Sequence, residues 1–179
     1  MTNCLELIGE IIAIYPVEKG ALNFAIPFNV IVDSMSASNI TVSGGGSQVL
    51  TREWLDAQRG IILDGYNIYN EDKGNIIMEP GTSVKESSKT LTAGMYYMTK
   101  VSAKTYEEVE KVRSFVNANE SFDTFIVDNM DRVFVLRAEE PACAISMSAN
   151  LPISQTHSIE IEVASVSGLI PVMFAESTQ

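Results

Sequence analysis

Thr105-Tyr106-Glu107-Glu108-Val109-Glu110-Lys111-Val112-Arg113-Ser114-Phe115-Val116-Asn117 is the one long stretch with a helical period in a chain otherwise patterned for strands. Thr105 followed by Glu108 has the spacing of a capping box, in which the hydroxyl accepts from a free helix N–H and the glutamate reaches back. Tyr106, Val109, Val112 and Val116 fall on one face of the helix this predicts over 105–117, and Glu107, Glu110, Lys111 and Arg113 point elsewhere. After Asn117 the period changes from helical to extended, and strand follows strand to Ser165. A single amphipathic helix feeding a run of strands fixes an architecture without fixing a chemistry.

Working outward from the helix, 122–127 and 132–136 form a hairpin joined by Asp128-Asn129-Met130-Asp131. Phe125, Val127, Val133 and Val135 are its candidate inward residues, and both strands are apolar enough for burial on two faces. A strand over 142–149 and Leu151-Pro152 come next. Ile159, Ile161 and Val163 then alternate with Glu160 and Glu162, the pattern of a half-buried strand. Gly168-Leu169 turns the chain into a last apolar stretch, 170–174, ahead of a short polar tail.

Upstream of the helix, Leu5, Leu7, Ile11 and Ile14 mark a strand region over 3–17, closed by Pro16 and Gly20, and 24–33 is a second strand with Pro27 at an edge or bulge. A short strand at 40–43 enters the flexible Gly44-Gly45-Gly46-Ser47. Residues 51–58 make a brief helix capped by Thr51, with Trp54 and Leu55 inward. Segments 61–63, 66–69 and 75–79 are strand-like, with Glu71-Asp72-Lys73-Gly74 as a turn. The segment 80–92 holds five Ser/Thr residues before Leu91 and a single large apolar side chain there, Val84, which predicts a long exposed loop. Residues 94–103 return to strand through Met95-Tyr96-Tyr97-Met98. The expectation is one mainly β domain, a β-sandwich or flattened barrel braced by one helix.

The chain has 179 residues, 46% hydrophobic and 20% charged, which suits a packed core and excludes wholesale disorder. Its formal charge of −11 opposes binding of nucleic acid through phosphate neutralisation, yet suits a wall past which DNA slides without sticking. Lys and Arg are missing from the first eighteen residues, and no secretory signal is visible. The longest apolar runs, 11–17 and 169–175, are too short to span a bilayer, so a soluble protein made inside the cell is expected.

Catalytic chemistry is poorly provided for. His157 is the one histidine, and no G-x-S-x-G elbow accompanies it. Cys4, Cys143 and His157 are dispersed and make no metal set, and the two cysteines, far apart and without a CxxC, read as small buried residues. Gly44-Gly45-Gly46-Ser47 lacks the Gly-Lys-Ser/Thr of a phosphate loop. Asp128-Asn129-Met130-Asp131 lacks the further ligands of a calcium loop and reads as turn chemistry. Glu139-Glu140 carries little information among 23 acids, and the sequons at Asn39 and Asn119 read as chance. No catalytic, cofactor or metal residue is expected.

The helix at 105–117, the hairpin around Asp128-Asn129-Met130-Asp131, and Leu151-Pro152 leading into 158–163 together resemble the layout of tube-forming tail proteins of tailed bacteriophages and related contractile machines. The resemblance implies a virion structural protein, made in the host cytoplasm, whose domains assemble side by side into a ring. An inner sheet would line a channel through which DNA passes transiently. Its partners would be copies of itself and other virion proteins, with no membrane. By the same resemblance 80–92 becomes a contact arm, with Ser83, Val84, Lys85, Glu86, Ser87 and Ser88 as the assembly residues. A head–tail adaptor or a capsid decoration protein is the alternative role. From other classes, the competing readings are a β-sandwich binding module with Trp54 as its one indole, and a carboxylate-dependent hydrolase with an acidic cleft.

Overall fold

The computed structural model describes residues 9–26, 32–44, 48–63, 65, 74–91, 94–119, 121–137, 144–152, 157–165 and 167–174. Cys4, Cys143, Pro27, Glu139, Glu140, the segments 66–69 and 71–73, most of the glycine loop and the tail 175–179 lie outside them.

The protein is mainly β, with one large sheet, one small sheet and two α-helices among the described residues. In chain order the elements are β1 (Ile11–Glu18), β2 (Leu22–Phe24), β3 (Met35–Ser36), β4 (Ile40–Val42), β5 (Gln48–Val49), α1 (Arg52–Asp56), β6 (Ile61–Leu63) and β7 (Ile76–Met78). There follow β8 (Ser83–Leu91), β9 (Gly94–Thr105), α2 (Val109–Ala118), β10 (Phe122–Asp128), β11 (Val133–Leu136), β12 (Ala144–Asn150), β13 (His157–Ser165) and β14 (Ile170–Met173). The large sheet runs β12-β13-β9-β7-β6-β1-β10-β11-β14-β3, with β8 added alongside β9. Its pairs are antiparallel except β6–β7 and β14–β3.

Two cores share the middle of that sheet. Ile14, Ile126 and Phe134 face one core with Val112 and Phe115 of α2 and the inner side of β9 and β13. Tyr15, Phe125 and Val135 face the other, with Leu55 of α1, Ile40 of β4 and Ile170 of β14. Every residue of β10 and β11 is therefore buried, and their near-continuous apolar runs are what two-sided burial requires. Phe125, Val127, Val133 and Val135 lie in the second core, as their spacing predicts. Pro16 does not end β1: the strand continues through it to Glu18, with Thr124 opposite.

The helix begins later than its sequence suggests. Thr105 is the last residue of β9, and its hydroxyl donates to the Ile77 carbonyl at 2.7 Å while accepting from the Glu107 amide at 3.0 Å. The capping chemistry is thus spent on a turn, and Glu108 occupies the cap position without a side-chain hydrogen bond. Tyr106 falls before the helix and is 73% exposed, while Phe115 is buried with Val112. Thr51, in contrast, caps α1 as expected, accepting from the Trp54 amide at 3.1 Å.

The loop expected over 80–92 is a strand over most of its length. Residues Ser83–Leu91 form a nine-residue strand in register with β9, from Ser83 opposite Ser102 to Leu91 opposite Gly94. The hydrogen bonding that a short polar segment cannot supply alone is supplied by β9, whose twelve residues offer a ready ladder. Ser83, Val84, Lys85, Glu86, Ser87 and Ser88 all belong to this strand.

Candidate functional site

Strands β8, β9, β13 and β12 make a four-stranded, wholly antiparallel ribbon at one end of the large sheet. Alternation gives it two unlike faces. On the inner face Val84, Val101, Ala103, Ile159, Ile161 and Met147 pack against the first core, and α2 lies across it. The other face carries Ser83, Lys85, Ser87, Lys104, Glu162, Ser146 and Ser148, all exposed, and no described element covers it. Lys100, in the middle of that open face, pairs with Glu160 at 3.3 Å and Glu162 at 3.8 Å. Among side chains described on this face there are three lysines (Lys85, Lys100, Lys104) and two glutamates, so the chain's acid excess lies elsewhere.

The ribbon ends in two outer strands. β8 pairs with β9 on one side, β12 pairs with β13 on one side, and neither has a second strand neighbour among the described residues. Both are long for edge strands, nine and seven residues. Unpaired strand edges present backbone N–H and C=O groups to any incoming strand. Of the six residues expected to meet a partner, Ser83, Lys85 and Ser87 stand on the open face, Val84 and Glu86 turn toward the chain's own core, and the side chain of Ser88 lies outside the described ones.

Glu86 is the unusual member. Its Oε1 accepts from the Leu169 amide at 3.3 Å, tying β8 to the turn between β13 and β14. Gly168 in that turn has φ +67, and a Cβ there would strike the Glu86 carboxylate, so only glycine lets the two approach. Ser165 Oγ steadies the same turn by accepting from the Gly168 amide at 2.9 Å. Burial pushes the Glu86 carboxyl above its ordinary 4.5, and the Leu169 hydrogen bond pulls in the opposite direction. Thr99, directly across on β9, has a buried hydroxyl with no hydrogen-bond partner among the described residues. The sequence signal for this arrangement is the alternation of Ser83, Val84, Lys85, Glu86 and Ser87, which a Ser/Thr-rich composition hides.

The other sequence candidates occupy three separate places in the fold. Asp128 is fully buried at the β10–β11 turn, where Oδ1 accepts from the amides of Met130 and Arg132 at 3.0 and 2.9 Å. Its Oδ2 accepts from the Gly9 amide and from the Arg132 guanidinium, at 3.1 and 2.8 Å. The carboxylate is saturated by these donors, and Asp131 takes a left-handed φ of 62 to close the turn. His157 opens β13 opposite Thr105. Trp54 is partly buried against the second core. Among the described residues no group of three metal-ligating side chains converges, and no helix is long and apolar enough to cross a membrane. Comparison with protein-family models, with curated proteins and with solved structures finds no match to this chain.

Proposed function

We propose that this protein is a structural subunit that works by self-association, its β8 edge pairing with the β12 edge of the next copy to build a ring or tube. The observation that carries the reading is that the two edges without a second strand neighbour among the described residues belong to one ribbon and run in opposite directions. β8 is antiparallel to β9, β9 to β13 and β13 to β12, so placing β12 of one copy beside β8 of another continues the antiparallel alternation without a break. The two edges are different surfaces, so the contact is head-to-tail and closes when the rotation per copy allows.

Face chemistry supports the same pairing. Val84 on one edge and Met147 and Ala149 on the other are partly buried against the first core, and joining the edges would extend one apolar layer across the contact. Ser83, Lys85 and Ser87 would meet Ser146, Ser148 and Asn150 on the open face. The bulk of the molecule lies on the inner side of the ribbon, so a closed ring has room for it only outside, which turns the open face toward the channel. The tail tube of a bacteriophage is the role that this assembly fits, with a head–tail adaptor or a decoration ring as the nearest variants. The lysines on the open face count against a channel wall made uniformly acidic. Sedimentation velocity and electron microscopy over rising concentration test the reading: rings or tubes support it, and a monomer at every concentration rejects it.

A further inference from the structure

We propose that Glu86 gates the β8 edge: its carboxylate, aimed at the core side of the outermost strand, takes up a proton before a second copy can pair there. The inference rests on the edge-pairing reading above and adds the control on that contact.

An inward-pointing charge on an edge strand discourages sheet-to-sheet addition, because the incoming strand must cover it. Glu86 occupies that position. In the free subunit it is partly exposed, next to Val84 on the same inner side of β8, and its one hydrogen bond among the described residues comes from the Leu169 amide. No cation faces it among the described residues. From β9 it meets Thr99 opposite and Tyr97 diagonally, the latter being the one titratable neighbour among the described residues. From the following turn come Ser165, Gly168 and Leu169, and the inner side of β13 contributes Val163. Lys85, Lys100, Glu160 and Glu162 are on the opposite face of the ribbon.

A strand added at β8 would bring the Met147 and Ala149 side of the partner's β12 beside Val84 and Glu86. Water now solvating the exposed part of the carboxylate would be lost with nothing charged to replace it. The neutral acid avoids that cost. It keeps a carbonyl oxygen for the Leu169 amide and gains an O–H that can donate. One proton enters from solvent per β8 contact formed, and it returns to solvent when the contact opens. Burial in the free subunit already favours the protonated form, which is the same tendency at an earlier stage.

The test is sedimentation velocity of the full chain from about pH 7.5 down to about pH 5, at high salt so that general repulsion between acidic subunits is screened. Association should tighten by up to about tenfold per pH unit, the slope of one proton per contact. Glu86→Gln should associate at neutral pH as the parent does at low pH, with a flattened profile. Glu162→Gln, which makes the same charge change on the exposed face, should keep the parent's profile. If Glu86→Gln associates but retains the parent's slope, the gate is wrong and edge pairing stands. If no variant associates at any pH while all remain folded by circular dichroism, edge pairing falls and the gate with it. Should Glu86→Gln fail to fold, calorimetry of parent association in buffers of different ionisation enthalpy decides. Uptake of about one proton per contact supports the gate, and zero uptake overturns it.

Discussion

Val84 and Met147 stand on the two outer strands of one antiparallel ribbon, and each is partly buried against the same apolar core. A contact that joins β8 of one copy to β12 of another would complete the burial of both. Val84→Ser and Met147→Ser should therefore each weaken association strongly, while costing the free subunit only about 1 kcal/mol. Sedimentation read beside thermal melting separates the two effects.

Helix α2 holds the inner side of the ribbon through Val112 and Phe115. Val112→Asp places an unpaired charge there and should cost more than ~3 kcal/mol, enough to unfold much of the population. Tyr106→Ala, at an exposed site before the helix, should stay within about 0.5 kcal/mol of the parent. Denaturant titration of both variants checks which residues the helix really buries.

At the β10–β11 turn, the Asp128 carboxylate satisfies three backbone amides and the Arg132 guanidinium. Asp128→Ala should cost about 3 kcal/mol by stranding those donors. Asp128→Asn, which keeps one carbonyl oxygen, should cost less. Chemical denaturation gives the order directly.

Glu86 should leave a signature in the free subunit as well. Its folded-state carboxyl is raised above the ordinary 4.5, so the native chain holds that proton more tightly than the unfolded chain does. The associated stability is present below 4.5 and is lost as pH rises through the higher folded-state value. Glu86→Gln should remove this loss and leave the subunit at least as stable as the parent at neutral pH. Melting temperatures of both proteins across mildly acidic to neutral pH provide the comparison.

Where burial on one or two faces left a periodic mark, the sequence was readable. The hairpin about Asp128, the alternation at Ile159, Ile161 and Val163, and the Thr51 cap all appear where their patterns place them. The helix start was misplaced because Thr105 and Glu108 match a capping box by spacing alone, whereas the Thr105 hydroxyl is drawn to the Ile77 carbonyl on a strand distant in sequence. Strand β8 was missed for a related reason. Its Ser, Lys and Glu residues are weak strand formers, and β9 imposes the extended form on them. Glu86 could not be recognised because its meaning depends on Leu169, a neighbour distant in sequence that only the folded chain supplies. Substitutions, not deletion, are therefore the right probe of 83–88, since removing the strand would uncover β9.

Hydrogen–deuterium exchange on dilute and concentrated protein tests the central claim most directly. The account predicts that amides in Ser83–Leu91 and Ala144–Asn150 gain protection together as association proceeds, while β1 and β10, already buried on both faces, stay unchanged. Association that leaves exchange in both strands identical to that of the dilute subunit would contradict it.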